Sequence, residues 1–142
     1  MLKEFGYGPT EAAIIDIPRI PPQTTLMSQT LPLIALGGAI GSVLRYLMVA
    51  AIGAPWGTAA VNVLGSFAIG VLFVLLDART GWQLFLITGL LGGFTTFSAF
   101  SLDTLKLFEA GQPLQAALYV LGSVALSLIA VALGVALARG IA

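Results

Sequence analysis

Residues Gly92-Gly93-Phe94-Thr95-Thr96-Phe97-Ser98-Ala99-Phe100 interrupt an apolar segment that runs from Trp82 to Phe108, close to its midpoint. Two adjacent glycines followed by two threonines invite a helix to unwind, and in hydrocarbon no water replaces the lost hydrogen bonds. Irregular backbone survives at that depth only where it is buried in protein, lines a wet path or binds an ion. The run is therefore read as a site. The third helix is expected to break near its middle, between about Gly92 and Thr95, and the other segments are its housing.

Composition sets the class. The chain of 142 residues is 58% hydrophobic and 8% charged, with mean hydropathy +1.04, far outside the usual balance of a soluble domain. An all-α integral membrane protein is expected. There is no Cys and no His, which excludes disulfides, thiolate chemistry, histidine acid–base mechanisms and the usual zinc or haem sites. Formal charge is zero and the basic residues are scattered, so nothing points to nucleic acid.

Working outward from the break, residues 1–30 read as an N-terminal extension. They hold Lys3, Glu4, Glu11, Asp16 and Arg19 with Pro9, Pro18, Pro21 and Pro22, a composition that predicts a flexible or extended tail. Met27 would serve as an alternative start, and the first 26 residues are expected to be dispensable or not native. Residues 31–142 form the membrane domain, with helices over about 31–52, 58–76, 82–108 and 114–138. Each is long enough to cross a hydrocarbon core of ~30 Å.

The first helix carries Gly37, Gly38 and Gly41 at close-packing spacing, and one charge, Arg45, expected near the far interface or in a wet vestibule. The second has one strongly hydrogen-bonding side chain, Asn62, followed by Gly65 and Ser66. Its amide is either an interhelical tie or a donor to an ion. In the third, Phe97 and Phe100 share a face, with Thr96 and Ser98 crowding the same turn, so the rings are read as bordering polar space. Asp103 and Lys106 near the membrane edge either pair or line an entrance. In the fourth, Tyr119, Ser123 and Ser127 recur every four residues as one hydroxyl-bearing stripe, read as a wetted or ion-contacting track.

Four short helices enclose little, and basic residues bias their orientation only weakly. Such a chain could insert both ways and pair as an antiparallel homodimer. A two-fold axis in the membrane plane would then join two copies of the break, whose freed carbonyls could cage a small cation.

Three stretches together resemble one family. Gly37-Gly38-xx-Gly41-xxx-Arg45-Tyr46, Gly57-Thr58-xx-Val61-Asn62-xx-Gly65-Ser66-Phe67 and Gly92-Gly93-Phe94-Thr95-Thr96-Phe97-Ser98-Ala99-Phe100 look like the signatures of the small fluoride channels called Fluc or CrcB. The resemblance runs from about Leu31 to the C-terminus. It implies a dual-topology antiparallel homodimer in the plasma membrane, with two fluoride pores and a structural sodium ion between them. It further implies passive export of cytoplasmic fluoride, which relieves fluoride toxicity. Carried over by position, Phe97 and Phe100 present ring edges to the ion. Asn62 donates to it, and Thr96, Ser98, Tyr119, Ser123 and Ser127 line its path. Arg45 and Asp103 belong to the vestibules, and Gly92 and Thr95 offer backbone carbonyls to Na⁺. Two features depart from the family pattern: Ala99 stands where Thr is common, and the N-terminal extension is long.

Two rival classes are weighed against a channel. A proton-coupled exporter wants an intramembrane carboxylate, for which only Asp103 is available. A purely structural subunit explains the glycines but not a central break beside a phenylalanine pair. An enzyme is not expected.

Overall fold

The computed structural model describes residues 23–76 and 81–141, with side-chain surroundings given from Thr30 onward. All regular structure among them is helical. Helix α1 spans Gln23–Ile52 and α2 spans Trp56–Leu75. The third membrane segment is composite. It comprises a short turn α3 (Gly81–Gln83), a π-helical stretch Leu84–Leu91, a second turn α4 (Gly92–Phe94) and helix α5 (Phe97–Glu109). Helix α6, Pro113–Ile141, closes the chain. Four segments are long and apolar enough to cross a bilayer: Thr30–Ile52, Trp56–Leu75, Gly81–Glu109 and Pro113–Ile141. The protein is thus a multi-pass membrane protein with four spans.

Helix α1 begins at Gln23, just after Pro21-Pro22, rather than near Leu31. Residues 23–30, expected in the N-terminal extension, are therefore helical. Proline restricts its own backbone and that of the residue before it, so the residue that follows such a pair is free to start a helix. The expectation of a flexible tail over residues 1–22 lies outside the described residues, as does the charged turn at 77–80.

Two glycine seams hold the spans together. A Cβ at Gly41 would fall on the Leu90 carbonyl and one at Gly93 on the Gly38 carbonyl, so α1 and the third span run backbone against backbone. On the other side, Gly70 abuts the Val131 carbonyl and Gly134 the Phe67 carbonyl, which locks α2 to α6. Contact of this closeness gains dispersion energy where lipid offers no hydrophobic drive between helices. The order of paired residues makes each pair of spans parallel. Trp56 meets Tyr119 near the starts of α2 and α6, with ring centroids 6.2 Å apart.

The π-helical stretch has the wider turn in which an N–H reaches five residues back, as the Gly92 N–H does to the Ile87 carbonyl. It lies where α1 presses closest, with Gly37 against the Phe85 carbonyl and Gly89 against the Ile34 carbonyl.

Candidate functional site

Thr95, the middle residue of the third span, and Thr96 are both extended, with φ/ψ of −77°/155° and −155°/120°. The two glycines before them stay helical, and Gly92 has φ −62° and ψ −37°. Gly93 is held by its contact with α1, so the departure from helix falls on the threonines.

Partners for the extended backbone come from three helices. The Thr95 N–H still reaches the Leu91 carbonyl at 2.9 Å, and its hydroxyl donates to the same oxygen at 3.0 Å. Asn62 on α2 then replaces a turn of helix. Its Oδ1 accepts from the Thr96 N–H at 2.8 Å, and its Nδ2 donates to the Thr96 carbonyl at 3.0 Å. The Thr96 hydroxyl caps α5 by accepting from the Ala99 N–H at 3.2 Å. From α1, the Arg45 guanidinium donates to the Thr95 carbonyl at 3.3 Å.

These diversions release two carbonyls. In a continuous helix the Gly92 carbonyl would accept from the Thr96 N–H, which turns instead to Asn62. The Thr95 carbonyl would accept from the Ala99 N–H, which turns instead to the Thr96 hydroxyl. Neutral oxygens of this kind suit a hard monovalent cation. The guanidinium on Thr95 demonstrates that this carbonyl takes a cationic partner.

Beside the break lies a cavity of about 390 Å³. Asn62, Thr96, Phe97, Phe100, Ser123 and Ser127 line it, together with Gly92 and Thr95. The two phenylalanines touch, with centroids 5.4 Å apart, but differ in setting. Phe100 is 7% exposed and stacks at 5.3 Å on Tyr119, whereas Phe97 is 78% exposed and stands at the open edge of the cavity.

The remaining residues singled out from sequence sit elsewhere. Ser98 is exposed, 3.2 Å from the Thr96 hydroxyl, and does not line the cavity. Tyr119 is buried away from the cavity beside Thr58 and Asp103, and its hydroxyl has no hydrogen-bond partner among the described residues. A four-residue repeat advances about 40° beyond a full turn each step, so the stripe from Ser127 back to Tyr119 winds round α6 and off the cavity wall. Asp103 is buried and accepts from the Thr58 hydroxyl at 2.7 Å. With Lys106, Leu107, Ala54 and Pro55 it lines a separate cavity of about 190 Å³ by the α1–α2 turn. Asp103 and Lys106 share that wall without an ion pair among the described residues. Arg45 lines neither cavity and reaches the break itself rather than an interface. One polar cavity residue has no role in the sequence reading, Ser66, although it lies one turn beyond Asn62 on the same face of α2.

A four-span membrane protein with a polar-lined cavity at an unwound mid-span segment is the class that fold and site define. Residues 32–135 match the family described as "CrcB-like protein, Camphor Resistance (CrcB)", and the chain belongs to that family. It is 52% identical over 120 residues to the "Fluoride-specific ion channel FluC" of Rhizobium johnstonii, covering 78% of this chain and 96% of that protein. Proteins of the same name from Agrobacterium fabrum and Paracoccus denitrificans are 51% and 50% identical. Those matches cover 77% and 81% of this chain and 95% and 98% of the relatives.

Proposed function

We propose that the protein is a fluoride-selective channel of the plasma membrane, not an enzyme, through which cytoplasmic fluoride leaves passively and fluoride toxicity is relieved. One observation carries this: the cavity at mid-span joins Phe97 and Phe100 to the Asn62 amide and the hydroxyls of Ser123 and Ser127. Fluoride is small and tightly hydrated, so a selective path must replace its water with donors yet hold it weakly enough at each point to let it go. An amide and hydroxyls donate hydrogen bonds, and an aromatic edge is positive, so both favour an anion without a fixed charge. Asn62 spends one amide N–H on Thr96 and has a second to offer. The relatives at 50–52% identity bear the name of fluoride-specific channels.

The pore is completed by a second, antiparallel copy. Phe97 borders the cavity yet is 78% exposed, so one chain leaves the wall unfinished. A two-fold axis through the break would bring together both pairs of released carbonyls, Gly92 and Thr95, around Na⁺. The ion would supply positive potential to neighbouring anion paths and a link between the copies.

The test is fluoride efflux from liposomes carrying the purified protein, run beside chloride, with Phe97→Ile, Phe100→Ile and Asn62→Ala. Fast fluoride-selective efflux that the substitutions impair is expected. A folded wild-type protein that passes no fluoride would refute the channel.

A further inference from the structure

Some hydroxyls of these helices are spent within their own span, and others line the cavity without such a bond. Ser101 donates to the Phe97 carbonyl at 2.9 Å, Thr104 to the Phe100 carbonyl at 2.9 Å and Thr95 to the Leu91 carbonyl at 3.0 Å. Each is spent on its own helix, four residues back, which is the usual fate of a helical hydroxyl in an apolar setting. Ser66, Ser123 and Ser127 make no such bond among the described residues, and all three line the same cavity. Ser66 comes from α2, and Ser123 and Ser127 come from α6.

Register fixes its height. The parallel helices α2 and α6 are aligned by Trp56 with Tyr119 and by Gly134 with the turn from Phe67 to Val71. On that alignment Asn62 stands between the levels of Ser123 and Ser127, and Ser66 stands just beyond Ser127. Around it the cavity turns apolar, with Ile69, Ile87 and Leu128 on the wall. An anion moving past Asn62 into that end would exchange its donors for hydrocarbon unless the Ser66 hydroxyl meets it, and stripping a small anion of its donors is costly.

We infer that Ser66 is a further anion ligand, which carries the donor track across from α6 onto α2 and extends it beyond Ser127. This rests on the channel reading. The experiment is fluoride efflux from liposomes as a function of fluoride concentration, for wild type, Ser66→Ala and Ser101→Ala, with thermal unfolding measured on each protein. Ser66→Ala is expected to lower flux about tenfold, the factor carried by one hydrogen bond to a charged group, and to raise the half-saturating fluoride concentration, with unfolding unchanged. Ser101→Ala, whose hydroxyl is already spent on Phe97, is expected to stay within about twofold of wild type. Should Ser66→Ala not fold, Ser66→Cys keeps the shape with a weak donor and carries the same expectation. Wild-type efflux with an unchanged Ser66 variant overturns the role of Ser66 alone. A wild type without efflux overturns the channel and this inference together.

Discussion

Replacing Asn62 by Ala separates two roles that its side chain combines. The amide makes both hydrogen bonds to the Thr96 peptide, at 2.8 and 3.0 Å, across 34 residues of chain. Without it the Thr96 N–H and carbonyl lose their partners at mid-span. Each unmade bond of a buried backbone group costs about 1–3 kcal/mol. Interhelical hydrogen bonds measured within membranes average only about 0.6 kcal/mol, because the unfolded chain in the bilayer also finds partners. Thr96 is half-buried beside a cavity that water can enter, which favours the lower part of the range. The expected loss is therefore about 2–3 kcal/mol for the two bonds together. Reversible unfolding by sodium dodecyl sulfate in mixed micelles measures it, alongside fluoride efflux from the same preparation. Asn62→Asp keeps the acceptor for the Thr96 N–H but not the donor to its carbonyl, and should fall between. If Asn62→Ala abolishes flux while its unfolding stays within about 0.5 kcal/mol of wild type, the amide serves the ion and not the fold, and the argument from the Thr96 peptide is wrong.

Phe100→Ala should cost about 3–5 kcal/mol in the same unfolding assay, since Phe100 is buried on Tyr119. Phe97→Ala should cost less while still lowering flux, and equal losses would contradict their different settings. Gly65→Ala would drive a Cβ onto Thr95 Cγ2, with an expected cost of about 1–3 kcal/mol and reduced efflux. Gly122→Ala, facing open space, should change neither. For Asp103→Asn a channel keeps passing fluoride, because Thr58 can donate to the amide oxygen as it does to the carboxylate; loss of proton-coupled transport would favour an exporter. Raising Na⁺ against a large organic cation at constant ionic strength should stabilise the dimer, by about 2.7 kcal/mol at one hundred times the dissociation constant. Stability that ignores Na⁺ would remove the ion from the proposal.

The four spans were legible because hydropathy and length need only local sequence, and Pro55-Trp56 and Gly111-Gln112-Pro113 mark two of the turns. The composition around residue 92 also pointed to the region where helix gives way. Its detail was not legible, because Asn62 and Arg45 reach Thr96 and Thr95 from two other helices, across 34 and 50 residues. Local propensity put the break between about Gly92 and Thr95, without deciding between the glycines and the threonines. Tertiary contact keeps Gly93 against Gly38, and the extended residues are the threonines. Asn62 read equally as a tie or an ion donor, and the contact with Thr96 is the tie. The π-helical stretch has no local signal in Leu84–Leu91, and the tail of the hydroxyl stripe at Tyr119 was lost to the drift of a four-residue repeat. Ser66 could have been found by extending the face of Asn62 by one turn.

The hydrogen bonds around Thr95 and Thr96 bear on what a cation would do there. Within one chain the extended residues already have partners from Asn62, from Arg45 and from the Thr96 hydroxyl. No ion is needed to keep the helix open. Arg45 holds the Thr95 carbonyl at 3.3 Å, just past the usual range for a hydrogen bond of this kind, and a carbonyl oxygen has two lone pairs. A small cation can therefore share that oxygen with the guanidinium or take it over without disturbing the Asn62–Thr96 pair. What such an ion would add belongs to the proposed assembly, in which carbonyls from two chains would surround it. What Arg45 adds belongs to each chain, a guanidinium bonded to the carbonyl of Thr95, a residue that lines the phenylalanine-bearing cavity. Attraction for an anion is then present in a single chain, and pairing around a cation would increase it. Sodium should accordingly affect the dimer more than the helix, and loss of the Arg45 charge should affect the anion more than the fold.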